Sequence, residues 1–92
     1  MEIRIDGKAA LITGGSQGLG KGVAHKFMEA GADIAILARN PQQLETAKAE
    51  LEASGPGKIV NISCDLMDPI ATEEAFNLAE DELGKIDILV NN

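Results

Sequence analysis

The chain has 92 residues, of which 45% are hydrophobic, and its 8 basic and 15 acidic side chains give a formal net charge of −7 at pH 7. Such a negative surface repels phosphate and disfavours nonspecific binding to nucleic acids or anionic membranes. The apolar runs are far shorter than the roughly 20 residues that span a membrane, and none resembles a signal peptide. The length and the hydrophobic content predict one globular domain. The single cysteine, Cys64, cannot form an internal disulfide, so we expect a reducing compartment, the cytoplasm.

Four short apolar runs alternate along the sequence with three segments of helical periodicity. The runs are typical of buried strands and predict β-strands at residues 8–13, 33–38, 58–63 and 86–91. Between them, helices are predicted from 18 to 30, from 41 to the Gly-Pro-Gly at 55–57, and from 69 to about 83. Each of the last two helices begins with an N-cap residue followed by proline, and each ends at a glycine.

This alternation predicts an α/β fold, in which right-handed crossovers join parallel strands and helices cover the sheet. Apolar spacing predicts the inward helix faces, which are Leu19, Val23 and Phe27 in the first helix, Leu44, Ala47 and Leu51 in the second, and Ala75, Phe76, Ala79 and Leu83 in the third. The fourth strand is left with an unpaired edge, so the sheet is predicted to be incomplete within these residues.

A glycine-rich segment, Thr-Gly-Gly-Ser-Gln-Gly-Leu-Gly at 13–20, lies between the first predicted strand and the first helix. Glycine there allows a tight turn and a close approach of the backbone to phosphate, which the amides of a helix N-terminus attract. One interpretation is a P-loop, because residues 15–21 fit G-x-x-x-x-G-K. However, Gly22 stands where that motif has the Ser or Thr that holds Mg²⁺, which disfavours triphosphate hydrolysis and leaves Lys21 as a solvated residue.

The same segment resembles the short-chain dehydrogenase/reductase family, whose pattern T-G-x-x-x-G-x-G it matches at Gly14, Gly18 and Gly20. Other matches follow in the family's order: Arg39 ends the second strand, Asp65-Leu66 ends the third, and Ile-Leu-Val-Asn-Asn at 88–92 is similar to the start of L-V-N-N-A-G. The resemblance extends from about Ile5 onward. It implies a Rossmann-type doubly wound parallel sheet, of which the β-α-β-α-β-α-β part is present in strand order 3-2-1-4.

The resemblance also implies how this chain would bind a dinucleotide. The loop would wrap the cofactor pyrophosphate with Gly14, Ser16, Gln17, Gly18, the amide of Leu19, and Gly20. Asp65 and the backbone of Leu66 would contact the adenine, Asn92 would approach the adenosine ribose, and Asn91 would hold the central strands. The alternatives are that Asp65 is a charge ahead of the third helix and that Asn91 and Asn92 form a plain loop.

Arg39 bears on which nicotinamide cofactor is bound. The 2′-hydroxyl of NAD(H) is usually held by a carboxylate at the end of the second strand, but Ala38 occupies that place. A guanidinium at Arg39 suits the 2′-phosphate of NADP(H), to which Ser16 or Asn40 would add hydrogen bonds. We therefore predict NADP(H), with NAD(H) as the alternative if Arg39 is a surface residue that pairs with helix acids.

Two other reactive side chains are assigned no catalytic role. His25 lies one residue past Ala24, which is expected to face inward, so His25 is expected to face solvent. Cys64 is expected to be a small buried filler and not a reactive thiol. With one histidine and one cysteine in the sequence, a zinc site is not credible.

The family resemblance implies a Ser-Tyr-Lys catalytic set, but the sequence contains no tyrosine and hence no Y-x-x-x-K. Its serines, Ser16, Ser54 and Ser63, belong to the cofactor loop, a helix end and a strand end. We therefore predict that residues 1–92 are the N-terminal part of a single NADP(H)-binding domain. The parent would be an oxidoreductase for a small-molecule carbonyl or alcohol, and the family resemblance implies a homo-oligomer. The alternative is a non-catalytic NADP(H)-binding module.

Overall fold

The computed structural model describes residues 5–14 and 18–91, apart from the side chain of Leu19. Within those residues, four strands alternate with three α-helices and one short 3₁₀ turn. Their bounds are β1 Ala9–Thr13, α1 Gly18–Glu29, β2 Asp33–Ala38, α2 Pro41–Leu51 with the 3₁₀ turn Glu52–Ser54, β3 Ile59–Ser63, α3 Pro69–Leu83 and β4 Ile88–Asn91. The predicted alternation of strands and helices is confirmed.

The four described strands form one parallel sheet in the order β3-β2-β1-β4. The first strand, β1, therefore lies in the interior, where Ala10 is paired with Ile34 of β2 on one side and with Ile88 of β4 on the other. The α/β fold and the strand order 3-2-1-4 are confirmed. From β1, the strands β2 and β3 are added on one side and β4 on the other, so the strand order reverses at β1. In open parallel sheets such a reversal creates a crevice at the carboxyl ends of the strands.

Side-chain caps fix where α2 and α3 begin. The Asn40 Oδ1 atom accepts a hydrogen bond from the amide of Gln43 at 3.1 Å. The Asp68 Oδ1 atom accepts from two amides of the first turn of α3, at 3.0 and 3.2 Å. A proline follows each cap, where its missing N–H costs no helical bond. The third helix ends at Gly84, whose φ of 83° lies in the left-handed region.

The sheet has a hydrophobic layer on each face. The layer beneath α1 and α2 contains alternate strand residues and both helices' inner faces: Ala10, Ile12, Ala24, Met28, Ile34, Ile36, Ala38, Leu44, Ala47, Leu51 and Ile59. The layer beneath α3 contains the strand residues of opposite parity with the helix face: Leu11, Ala35, Leu37, Ile62, Ala75 and Ala79. This arrangement confirms the inward faces predicted for α2 and α3, with Phe76 and Leu83 partly buried at the border.

The buried face of α1 is rotated from the predicted one. Ala24 and Met28 are fully buried against the sheet, whereas Val23 and Phe27 are only partly buried beside them. The small side chain of Ala24 lets the helix backbone approach the strands, and Met28, four residues on, lies on the same buried face. The burial of Ala24 agrees with the inward direction expected from the sequence, whereas the spacing of Val23 and Phe27 identified only the border of the face.

The fourth strand is the least covered part of the sheet. Among the described residues it pairs only with β1, and Leu89 on it is 60% exposed. The unpaired edge that the sequence predicted is thus present in the described part of the chain. No helix among the described residues is long and apolar enough to cross a membrane.

Candidate functional site

The glycine-rich segment leaves β1 at the carboxyl edge of the sheet. Gly14 has a φ of 70° and Gly18 a φ of 56°, both in the left-handed region that side-chain-bearing residues rarely adopt. The amide of Gly14 donates to the carbonyl of Leu37 at 2.8 Å, which ties the start of the turn to β2. Gly20 is buried. The chain therefore turns sharply after β1 and enters α1 with its first amides at this edge.

Part of the predicted pyrophosphate loop lies outside the described residues. Ser16, Gln17, Asn92 and the side chain of Leu19 belong to this part, so their roles stay predictions. Gly18 is exposed and has open space on the side where a Cβ would lie. The described ends of the loop thus leave room for a ligand beside the N-terminus of α1, where backbone amides and the helix dipole favour an anion.

A hydrogen bond joins the two central strands where the sheet order reverses. The Thr13 hydroxyl donates to the Asn91 Oδ1 atom at 3.0 Å, and it also lies 3.4 Å from the Val90 carbonyl oxygen. Thr13 is buried, at 8% exposure. This contact agrees with the role of holding the central strands that was predicted for Asn91. Thr13 itself was missed, although a threonine at the last position of an apolar strand was a usable signal.

Arg39 follows β2 at the same edge of the sheet. Its side chain is exposed, and its carbonyl accepts a hydrogen bond from the Ser63 hydroxyl at 2.9 Å. Within the described residues the guanidinium forms no ion pair, which gives no support to the alternative of a surface arginine that pairs with helix acids. The buried Ala38 ends β2 with no carboxylate.

A cleft of about 430 Å³ lies between the N-terminal turns of α1 and α2, lined by Gly18, Lys21, Asn40, Gln42, Gln43, Thr46 and Ala47. It brings together the predicted residues Gly18 and Asn40. The Asn40 Oδ1 atom accepts the hydrogen bond of the helix cap, and the side-chain amide nitrogen is left to donate to a ligand in the cleft.

Lys21 differs from its prediction as a solvated residue. It forms an ion pair with Glu50 of α2, and its side chain is 35% exposed. The pair links α1 to α2 beside the cleft, where both side chains line an adjacent pocket. Because the lysine comes from one helix and the glutamate from the other, 29 residues apart, spacing within a single helix gave no sign of the contact.

Asp65 and Leu66 follow β3, as predicted. The Asp65 carboxylate accepts from the amide of Met67 at 3.0 Å, and Asp68, not Asp65, caps α3. Leu66 lines a second pocket of about 310 Å³, whose walls also include Leu11, Thr13, Leu37, Thr72, Phe76, Leu89 and Asn91. The structure therefore brings Leu66 and Asn91 together beside the reversal point, and it places Asp65 outside both clefts.

The Cys64 thiol and the His25 imidazole are the two remaining reactive side chains, and neither lines the cleft between α1 and α2 described above. Cys64 is partly buried; burial raises the pKa of its thiol, and the negative charges of Asp65 and Asp68 raise that pKa further, which disfavours the nucleophilic thiolate. His25 is exposed, as predicted, and its Nδ1 lies 2.7 Å from the Ser54 hydroxyl. The part of the chain that the structure describes contains no group of three or more potential metal ligands.

The comparisons with known proteins agree on one family. A family model described as short chain dehydrogenase matches residues 8–92. The short chain dehydrogenase/reductase dpmpG of Macrophomina phaseolina is 41% identical over 86 residues, which are 94% of this chain and 49% of that protein. The 15-hydroxyprostaglandin dehydrogenase (NAD(+)) of Bos taurus is 37% identical over 91 residues, which are 98% of this chain and 34% of that protein.

A solved structure shares the fold closely. The crystal structure of L-sorbose reductase from Gluconobacter frateurii, complexed with NADPH and L-sorbose, superposes with a TM-score of 0.92 at 33% identity. The match covers 100% of this chain and 35% of that one. This chain thus spans about half the length of the first relative and about a third of the other two. One of these names carries NAD(+) and another NADPH, so the likeness leaves the choice of nicotinamide cofactor open.

Proposed function

We propose that this chain, which belongs to the short-chain dehydrogenase family, forms the cofactor-binding part of a single domain in an NADP(H)-dependent oxidoreductase. The observation that carries the cofactor assignment is the exposed Arg39 guanidinium at the carboxyl end of β2, where the preceding Ala38 supplies no carboxylate. The substrate class would be a small-molecule carbonyl or alcohol, and the whole protein would act in the cytoplasm as a homo-oligomer.

The described residues fit the pyrophosphate of such a cofactor. Gly14 and Gly18 hold the left-handed backbone that a tight turn requires, and open space lies beside Gly18. The first amides of α1 would donate to the phosphate oxygens, with Ser16, Gln17, Leu19 and Gly20 completing the loop. Since the chain carries a net charge of −7, these local donors must hold the anion against a repulsive overall field.

The same edge suits the adenosine end. Arg39 would donate to the 2′-phosphate through two or more N–H groups, and the amide nitrogen of Asn40 would add a neutral hydrogen bond. Asp65 and the backbone of Leu66 would contact the adenine, and Asn92 would lie near the ribose. A carboxylate facing the 2′-position would repel a phosphate there, so the alanine at the end of β2 supports the phosphate-bearing cofactor.

The nicotinamide, when bound, supplies a hydride to the substrate or accepts one from it. The residues of this chain bind and orient that cofactor. Thr13 and Asn91 would keep β1 and β4 in register beneath it, because their side chains are hydrogen-bonded at 3.0 Å. The sequence has no tyrosine, so the proton exchanged with the substrate oxygen would be carried by residues outside these 92.

Binding measurements on the protein expressed from its complete reading frame test this proposal. Arg39→Ala removes hydrogen bonds to a charged group, each with a contribution of about 1.5–3 kcal/mol, and should weaken NADPH binding by about 10- to 100-fold. NADH binding should change less than about threefold. Lys26→Ala is the control, because Lys26 is an 80% exposed cation at the far end of α1. Comparable affinity for NADH and NADPH, unaffected by Arg39→Ala, would contradict the assignment.

A non-catalytic NADP(H)-binding module is the second candidate, favoured by the missing tyrosine. The half-covered β4, with Leu89 60% exposed, argues against it. Gel filtration and NADPH titration of the 92-residue chain separate the two. A monodisperse chain that binds NADPH would support the module, whereas aggregation would exclude it.

A further inference from the structure

Two polar side chains of the edge strand β3 hold the segment that connects β2 to α2. The Ser63 hydroxyl donates to the Arg39 carbonyl at 2.9 Å. The Asn61 side-chain amide donates to the Leu44 carbonyl at 2.8 Å. Residues two apart on a strand lie on the same face, and Ile59 places that face beneath α1 and α2. The two hydrogen bonds therefore attach both ends of the segment 39–44 to β3.

We propose that Asn61 and Ser63 are positioning residues that set the cofactor preference by fixing this segment. The inference rests on the proposed function, since the segment carries Arg39 and Asn40, the groups assigned to the 2′-phosphate. It adds two residues of another strand, to which the proposed function assigns no contact with the cofactor.

Apart from the packing of the buried Leu44 in the core, the segment has few other hydrogen bonds to the sheet among the described residues. The amide of Cys64 donates to the Ala38 carbonyl at 2.9 Å, just before the segment, and Asn40 caps α2 within it. Arg39 is exposed, and a long exposed side chain has many rotamers to lose on binding. Holding its backbone still reduces the freedom lost when phosphate binds, so the anchor raises affinity for the cofactor that needs Arg39. A cofactor with a free 2′-hydroxyl gains little from the same anchor.

The hydrogen bonding of Asn61 indicates a role besides stability. Its Oδ1 atom is buried and has no hydrogen-bond partner among the described residues, an arrangement that destabilises a fold. The Leu44 carbonyl that it contacts lies inside α2, where the helix also uses it. A leucine at 61 would remove the unpartnered oxygen and keep the same branching and number of side-chain heavy atoms. We therefore expect Asn61→Leu to leave thermal stability unchanged or raised while it weakens NADPH binding.

The test measures dissociation constants for NADPH and NADH, together with unfolding midpoints, on the protein from its complete reading frame. Ser63→Ala and Asn61→Leu should each weaken NADPH binding about two- to fivefold, with one neutral hydrogen bond as the upper limit, and change NADH binding less than about 1.5-fold. Ser63→Thr keeps the hydroxyl and should restore NADPH affinity. Asn77→Leu, at an exposed position on α3, is the control and should change neither constant.

The outcomes separate the inference from the proposal beneath it. If Arg39→Ala abolishes the NADPH preference while Ser63→Ala and Asn61→Leu preserve it, the positioning role is wrong and the cofactor assignment stands. If the two β3 variants weaken both cofactors equally, their role is structural and the inference is likewise overturned. If the unmodified protein does not prefer NADPH, both the assignment and the inference fail.

Discussion

The hydrogen bond between Thr13 and Asn91 joins β1 to β4 where the sheet order reverses, and its contribution can be isolated. Thr13→Val keeps the shape of a side chain that is 8% exposed but removes the hydroxyl that donates at 3.0 Å. A neutral hydrogen bond contributes about 1 kcal/mol net to the free energy of unfolding. Asn91→Ala removes the other partner of the same bond and should cost about the same amount.

Because both substitutions break one bond, their effects should not add. The double variant should lose about 1 kcal/mol, against about 2 kcal/mol for independent sites, which gives a coupling energy of about 1 kcal/mol. Urea unfolding of the four proteins in the cycle measures it. Thr46→Val is the matched control, since its hydroxyl bonds the Gln42 carbonyl within the exposed face of α2 at 3.0 Å. Coupling between Thr13 and Asn91 below about 0.3 kcal/mol would refute the role given to this bond.

Two further predictions concern the framework of the site. Gly57→Ala should cost about 3 kcal/mol in the free energy of unfolding, because a Cβ there would overlap the Ala32 carbonyl. Gly22→Ala is the control and should be neutral or stabilising, because Gly22 lies in α1 with open space around it. Equal unfolding midpoints for the two variants would contradict this account of the packing. The pKa of Asp87 is lowered, chiefly by the hydrogen bond from the Ala9 amide and also by Lys85. The ionised Asp87 therefore stabilises the fold above about pH 4, and this effect is lost as the pH falls through the lowered pKa. Asp87→Asn should destabilise the protein at pH 7 but not at pH 2. A difference in stability between the two proteins that does not change with pH would exclude this linkage.

The element pattern could be predicted from the sequence because its signals are local. Asn40 and Asp68 each precede a proline and cap the helix that follows, so neighbouring residues suffice to define the start. Continuous apolar runs identified the strands for the same reason. The strand order came from the resemblance carried by the glycine segment and by Asn91, since periodicity alone does not say which strands are neighbours.

The contacts that connect distant segments could not be predicted in this way. Lys21 pairs with Glu50, and Asn61 reaches Leu44, only because the fold brings α1, α2 and β3 together. The spacing of Val23 and Phe27 likewise did not show that Met28 lies fully buried on the α1 face. Such contacts depend on the packed arrangement of helices on the sheet, which spacing within one segment does not contain.

The central claim is that Arg39 recognises a 2′-phosphate, and nucleotide fragments test it most directly. Adenosine 2′,5′-bisphosphate and adenosine 5′-monophosphate differ only in that phosphate, so the ratio of their dissociation constants isolates its contribution. We predict that the protein from its complete reading frame binds the bisphosphate at least about tenfold more tightly, and that Arg39→Ala brings the ratio close to one. A ratio near one in the unmodified protein, or a ratio that Arg39→Ala leaves unchanged, would contradict the account.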